Sequence, residues 1–354
     1  MSGMAGVVRY GLIGCGGIAH THAAAIGQME NARLAACCDQ QMEKADSFAK
    51  QYGCKAYADY VQMLHDPEVD AVCICTPCSS HGQMIREAAD SGKHILCEKP
   101  VMLDVAALKA LIVHCENRGV QFTGVMQHRY DPPAEALRRA IEKGHFGKIL
   151  LGGVRILWYR DEAYYASSPW RGQKKDGGSV LANQGIHYLD LLLSLMGDCC
   201  VISACGRTLG RHDSHADNYV SAQLQFGNGA IGNLECTTAA YPGIYAELSV
   251  FGQEGSAVIR NDRLVFYAHK GPSDSVLSSL LCESANSVST SSADLDFAGH
   301  LRQYRDFTNA LLHHCALRYT ALDALKTLQV IGQIEEACIQ SGTFTRRPDS
   351  PRFP

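Results

Sequence analysis

The first residues able to do chemistry are Gly14-Cys15-Gly16-Gly17-Ile18-Ala19, which fit the pattern G-x-G-x-x-G/A. Each position has a mechanical reason. Gly14 allows a tight turn, Gly16 lets the main chain approach a pyrophosphate, and Ala19 permits close packing of helix on strand. Gly17 and Ile18 open the helix, whose N-terminus offers N–H groups and the positive end of its dipole to phosphates. Asp39 follows 20 residues after Ala19, at the end of the second apolar run. A carboxylate there accepts hydrogen bonds from the ribose hydroxyls of NAD and repels the 2′-phosphate of NADP. Gln40, Gln41 and Met42 supply no arginine to reverse that preference. The cofactor these residues call for is NAD, with NADP disfavoured.

Two further segments carry groups that handle protons. Cys97-Glu98-Lys99-Pro100 closes an apolar run over residues 94–97. In open α/β sheets, ligands lie beyond the carboxyl ends of the strands. Pro100 stops the strand and favours an extended Lys99. The Lys99 ammonium is then placed to donate to a substrate oxygen and stabilise a developing alkoxide. Residues 177–190 open a helix in which Ile186, Leu189, Leu193 and Met196 form an apolar stripe. Asn183, His187, Asp190 and Ser194 form a polar stripe beside it. A solvated helix face usually carries Lys and Glu; this one carries an imidazole that exchanges a proton near neutral pH. Asp190, three residues after His187, is placed to orient it.

The elements that must position these groups fall into two patterns. Up to residue 126, apolar runs at 7–13, 33–38, 69–76, 94–97 and 121–126 alternate with helical patterns. Such alternation predicts a parallel sheet covered on both faces. Beyond it, Asp131-Pro132-Pro133 opens a helix, residues 149–159 read as a long strand, and residues 160–178 read as a loop. A helix is predicted over 179–196, then strands near 201–209, 219–226, 230–238, 246–251 and 257–260, a mainly antiparallel series. The Ser-rich stretch 273–292 reads as loop, and helices over 300–313 and 321–340 finish the chain. The predicted domains are residues 1–126 and 127–354.

Composition narrows the function classes. Of the 354 residues, 46% are hydrophobic and 19% charged, which excludes global disorder. The net charge of −4 is no footprint for nucleic acid. No apolar run approaches the roughly 18 residues that cross a bilayer. Leu12-Ile13-Gly14-Cys15 mimics a lipoprotein cleavage box, but the segment before it is short and Arg9 interrupts it. The 16 cysteines sit largely inside apolar runs, as small hydrophobes do in a reducing compartment, so a cytoplasmic location is expected. Cys75-Thr76-Pro77-Cys78 is a C-x-x-C with no second ligand pair at matching spacing, so no metal is expected.

Taken together, residues 14–19, Asp39, Cys75-Thr76-Pro77 with His81, Glu98-Lys99-Pro100 and the 177–190 helix resemble the glucose-fructose oxidoreductase / inositol dehydrogenase / rhizopine catabolism (Gfo/Idh/MocA) family. The resemblance covers nearly the whole chain. It implies an α/β protein: an N-terminal Rossmann doubly wound parallel sheet, then a C-terminal α+β domain with a large, mainly antiparallel open sheet that carries homodimer or homotetramer contacts. It implies hydride transfer between NAD and a CH–OH group of a sugar, polyol or sugar derivative. Lys99 matches the family's lysine and His187 its acid–base histidine. Thr76, Pro77, His81 and Glu98 match positions near the nicotinamide and its ribose. Trp170-Arg171 looks like the family's Trp-Arg or Trp-Lys pair, which reaches the cofactor and substrate cleft. Gln127-His128-Arg129-Tyr130 matches the segment entering the substrate site, giving Gln127 to the cofactor and Arg129 and Tyr130 to the substrate.

One position departs from the pattern. Many sugar and inositol dehydrogenases of the family carry Asp four residues before the histidine, where this chain has Asn183. An amide does not accept the proton that a carboxylate takes. Asn183, with Arg171, is therefore assigned to orienting substrate. Asn there is similar to oxidases of nucleotide-linked sugars, such as UDP-N-acetylglucosaminuronate 3-dehydrogenases. Arg171, Lys174 and Lys175 would then serve an anionic substrate group. A catalytically silent NAD-binding sensor or scaffold is the alternative from another class.

Overall fold

Apolar runs buried on both faces make the strands of the first unit, as in Val8–Ile13, where only Arg9 is half-buried. The computed structural model describes residues 6–209, 217–272, 274–281 and 297–343. The chain divides into two compact units, one of residues 1–127 and 295–325, the other of residues 128–294 and 326–354.

The first unit alternates β1 (Val8–Ile13), α1 (Gly17–Gly27), β2 (Ala32–Cys38), α2 (Met42–Tyr52), β3 (Lys55–Tyr57), α3 (Tyr60–Leu64), β4 (Ala71–Ile74), α4 (His81–Asp90), β5 (His94–Cys97), α5 (Val105–Asn117) and β6 (Phe122–Gly124). The strands pair in the order β3-β2-β1-β4-β5-β6, every pair parallel. This is the Rossmann order, and it reverses direction between β1 and β4, where such sheets bind their ligands. Asp59 and Asp104 cap α3 and α5 by accepting from the Val61 and Ala107 N–H groups. Only β3 and α3, three and five residues long, escape the sequence pattern.

In the second unit, Pro132 and Pro133 start α6 (Pro132–Glu142), followed by β7 (Ile149–Leu157), α7 (Glu162–Ala166), a π turn (Leu181–Gly185) and α8 (Ile186–Met196). Then come β8 (Cys199–Arg207), β9 (Tyr219–Phe226), β10 (Ile231–Thr237), β11 (Tyr245–Gly252), β12 (Gly255–Arg260), β13 (Arg263–His269) and α9 (Ser275–Leu280). The sheet runs β13-β12-β11-β7-β10-β9-β8 and is antiparallel except where β7 meets β10. Gly152 of β7 makes room for α8, since a Cβ there would collide with Met196. The other face of β7 and β11 carries Leu151, Arg155, Glu247 and Phe251 towards solvent.

Three elements of the second unit stand where the sequence predicts loop or nothing. Asp161 caps α7 within the 160–178 stretch, and Asp274 caps α9 at the start of the Ser-rich segment. β13 is an edge strand with half-exposed positions that blur its alternation. Most of the Ser-rich segment beyond α9 lies outside the described residues.

Two helices close the chain, α10 (Ala298–His313) and α11 (Ala321–Gln340). The sequence places both in the second domain, but α10 packs in the first unit. Its Tyr304, Phe307 and Leu311 join one buried cluster with Val8, Tyr10, Leu12 and Ile26. The reason lies in Tyr10, whose buried hydroxyl needs a polar partner. Thr308 supplies it at 2.7 Å, and the Tyr10 and Tyr304 rings meet edge-on at 5.1 Å. Among the described residues, no helix is long and apolar enough to cross a membrane.

Candidate active site

The candidate nucleotide site of the first unit is made mostly of main chain. Gly14 leaves β1 with its N–H on the Cys38 carbonyl at 2.7 Å and φ of +98°. A Cβ there would stand 2.9 Å from the Cys75 carbonyl oxygen, so only glycine fits. Gly16 starts α1 with no side-chain cap, and a Cβ on Gly16 or Gly17 would meet nothing within 4 Å. Open space above uncapped N–H groups suits a pyrophosphate. Asp39 at the end of β2 is fixed on both oxygens, accepting from the Cys15 N–H at 3.1 Å and the Gln41 N–H at 2.9 Å. Lone pairs remain on both oxygens for further donors, the chemistry that a ribose diol requires. Gln127 Oε1 is buried without a hydrogen-bond partner, an acceptor left over by the fold itself. The residues present fit NAD.

Thr76 and Pro77 follow β4, with the Thr76 hydroxyl 2.8 Å from that of Ser80. His81 is buried, 2.7 Å from the Thr76 carbonyl through Nε2 and 3.1 Å from the Val101 carbonyl through Nδ1. Burial lowers its pKa against the opposing pull of those carbonyls, and the ring braces the strand end.

Lys99 stands on a buried ion pair. Glu98 accepts the Lys99 N–H through Oε2 at 3.0 Å and meets His22 Nε2 through Oε1 at 2.9 Å. The other His22 nitrogen faces the Tyr304 hydroxyl at 3.0 Å and Cys73 Sγ at 3.6 Å. Burial works against both charges. Even so, Cys73 and Glu98 carry His22 up to about 10, and His22 with Lys99 brings Glu98 down to about 2. The Lys99–Pro100 peptide is cis. Sequence reasoning named Glu98 and missed His22. The available signal was a histidine on the alanine-rich buried face of α1, between Ala19 and Ile26.

The candidate residues of the second unit are held by side chains. The Arg129 guanidinium grips Asp190 with Nε at 2.6 Å and Nη2 at 2.7 Å, and the Thr327 hydroxyl donates to the same carboxylate at 2.7 Å. Both partners are buried. Asp190 thus holds Arg129, not the His187 ring as its spacing suggested, and it engages the Nε and Nη2 donors of the guanidinium. Tyr130 is likewise buried. Asn183 lies in the π turn that leads into α8, a local irregularity frequent at functional sites. Its amide donates to the Tyr164 hydroxyl at 3.2 Å, and Gln184 donates to the same oxygen at 2.7 Å.

Tyr164 also receives the Trp170-Arg171 loop. The Arg171 guanidinium lies 4.0 Å from the Tyr164 ring centre and donates to the Tyr164 carbonyl at 3.2 Å, with the Trp170 ring 5.6 Å away. Arg160 covers the Tyr164 ring as well, at 5.2 Å. His187, on the first turn of α8, meets the His128 ring at 5.1 Å and 74°. Tyr164 carries no motif, and although His128 lies in the 127–130 segment, its contacts with His187 and Asp262 join residues remote in sequence.

Comparison with known proteins gives the arrangement its family. Residues 8–125 match the model described as oxidoreductase family, NAD-binding Rossmann fold, and residues 134–258 match the GFO/IDH/MocA C-terminal domain. Inositol 2-dehydrogenase of Rhizobium meliloti is 30% identical over 263 residues, covering 73% of this chain and 77% of the relative. The scyllo-inositol 2-dehydrogenase (NAD(+)) of Bacillus subtilis is 28% identical over 279 residues, covering 76% and 80%. Among solved structures, the WlbA dehydrogenase of Bordetella pertussis, in complex with NADH and UDP-GlcNAcA, superposes with a TM-score of 0.87 at 26% identity, covering 96% of this chain and 97% of that one. The nucleotide unit is therefore an NAD-binding Rossmann domain, and the chain belongs to the Gfo/Idh/MocA oxidoreductase family.

Proposed function

We propose that Lys99 and His187 act on one hydroxyl of a sugar or polyol, in an NAD-dependent oxidation of CH–OH to C=O. NAD, when bound, supplies the hydride acceptor. His187 takes the hydroxyl proton as general base. The Lys99 ammonium donates to the same oxygen and stabilises its negative charge as it develops. Asn183 orients the substrate by hydrogen bonding, since its amide neither takes up nor gives up a proton at neutral pH. In the reducing direction the same groups return the proton.

The observation that carries this reading is the mounting of Lys99. A buried Glu98–His22 ion pair fixes the main chain at the lysine, an investment that a passive nucleotide-binding module does not require. The test is His187→Ala, assayed by reduced-cofactor absorbance against a panel of inositols, sugars and uronates. Turnover should fall about 10²–10⁴-fold while NAD affinity, measured by calorimetry, stays within two- to three-fold. Undiminished turnover removes His187 from the role. Tight NAD binding with no turnover on any alcohol moves the protein to the sensor class.

A second reading has its own observation. Arg160 and Arg171 both lie against the Tyr164 ring, and the Nε of each is buried without a hydrogen-bond partner. Two guanidiniums beside Asn183 favour an anionic substrate, of the kind carried by the nucleotide-linked uronate that WlbA binds. Turnover of a UDP-linked uronate with none of neutral inositols selects this reading.

The open face of the second sheet is our candidate for self-association. It offers Leu151 and Phe251, 50% and 37% exposed, alongside Arg155 and Glu235. A reducing, cytoplasmic location is supported by the described cysteines, every one a free thiol.

A further inference from the structure

His128 follows Gln127 in the short turn Gln127–Tyr130 that leads into α6. Its Nδ1 lies between two carboxylates from different elements, 3.0 Å from Asp131 at the start of α6 and 3.1 Å from Asp262 in the β12–β13 turn. Asp262 is itself locked. It adopts φ of +61° next to Asn261 at +46°, and the Tyr188 hydroxyl of α8 donates to its Oδ1 at 2.8 Å. The turn, the start of α6 and α8 therefore converge on one imidazole. That imidazole packs edge to face on His187, with centres 5.1 Å apart.

We infer that His128 is a positioning residue for His187, fixing the orientation of its ring and screening it from the Asp131 and Asp262 carboxylates. The kinetic side of this inference rests on the role proposed for His187; the electrostatic side does not.

The charge count explains why screening matters. From the Gln127–Tyr130 turn come His128 and Arg129; from α6, Asp131; from the β12–β13 turn, Asp262; from α8, Tyr188 and Asp190. Arg129 and Asp190 neutralise each other in a buried bidentate pair. Burial and the Asp262 charge keep the Tyr188 phenol protonated by raising its pKa well above the usual value. Of these groups, the one left beside His187 without a neutralising partner is the imidazolium of His128 between its two carboxylates. Burial opposes the charge on His128, but Asp262 and Asp131 raise it to about 10. The cation therefore persists through the neutral range, and the trio sums to a single negative charge. Without it, two carboxylates face His187 and favour its protonated form. A general base must be unprotonated to accept the hydroxyl proton, so losing the screen costs activity at neutral pH.

The test reads His187 directly in the full-length, substrate-free protein. Proton–carbon NMR of ¹³C-labelled histidine follows its ring carbon from pH 5 to 9, with the resonance assigned by its loss in His187→Asn. In His128→Phe, which keeps an aromatic ring but not the charge, the His187 midpoint should rise by about one pH unit. In Asp262→Asn, which removes a negative charge, it should fall. The acid limb of the kcat/KM profile should move with it. An unmoved midpoint, or a shift of opposite sign in either variant, overturns the screening role. Should His128→Phe fail to fold, His128→Gln and Asp262→Asn carry the test. The outcome is separable from the proposed function, because the titration needs no substrate and turnover of His187→Ala is judged independently.

Discussion

In the nucleotide unit, the groups facing the first βα turn are peptide N–H groups, one glycine at φ +98° and a single carboxylate held by two main-chain donors. In the second unit, the corresponding groups are side chains held by side chains. Arg129 grips Asp190 across 61 residues of sequence, Tyr188 reaches Asp262 across 74, and Tyr164 joins Asn183 across 19. A site made of main chain is specified by consecutive residues and tolerates no change in backbone shape. A site made of side chains is specified by partners brought together only by folding, and each partner can change while the backbone stays. This is the physical form in which one family keeps a cofactor and varies a substrate.

The largest test of that contrast lies in the second unit. Arg129→Met leaves the Asp190 carboxylate buried with Thr327 as its remaining donor. Breaking a buried pair on one side typically costs about 3–5 kcal/mol. Replacing both partners with apolar residues should restore most of it, because no charge is then stranded. Urea unfolding followed by tryptophan fluorescence reports this, since both tryptophans, Trp158 and Trp170, lie in the second unit. A cost below about 1 kcal/mol for the single variant breaks the contrast, for then the side-chain pair holds nothing.

The nucleotide unit predicts the reverse dependence. Gly14→Ala forces a side chain into a left-handed conformation against the Cys75 carbonyl, at a cost of about 1–3 kcal/mol. NAD affinity should drop at least tenfold together with the stability of that unit. Gly16→Ala sharpens the comparison, because its Cβ meets nothing in the free protein. It should leave thermal stability unchanged and still weaken NAD, by occupying space the pyrophosphate needs. Calorimetric titration with NAD separates the two variants. Equal behaviour would mean that the loop is not shaped by its ligand.

The same contrast explains what the sequence made legible. The loop at 14–19, Asp39 and the Glu98-Lys99-Pro100 corner are readable because each demand falls on neighbouring residues of one strand end. His187 and Asn183 are readable because they share one helix. Their supports are not, because nothing local ties Tyr164 to Asn183 or Asp262 to His128. Asp190 shows how spacing misleads. Three residues from His187 it shares a helix face, yet the guanidinium of Arg129 is the stronger claimant, offering two parallel charge-assisted bonds. In the fold, the parallel sheet was visible through its continuous apolar strands. The three-residue β3 was too short for a pattern, and α10 reads as a generic amphipathic helix whose sequence does not reveal which core it completes.

The smallest expected effect falls on Tyr164, and it separates the holding of the loop from the holding of the amide. Tyr164→Phe keeps the ring that Arg171 covers at 4.0 Å and removes only the oxygen that accepts from Asn183 and Gln184. Net losses of about 0.5–1.5 kcal/mol accompany a typical hydrogen bond. The Gln184 bond, at 2.7 Å, should account for more of it than the Asn183 bond at 3.2 Å. The loop stays docked by its stacked guanidinium, while the Asn183 amide is freed to rotate. Steady-state kinetics should then show KM raised a few-fold with kcat within about two-fold, as expected when a group binds substrate and transition state alike. A matching fall in kcat instead would place the Asn183 amide on the reacting oxygen, as a hydrogen-bond donor to its developing charge.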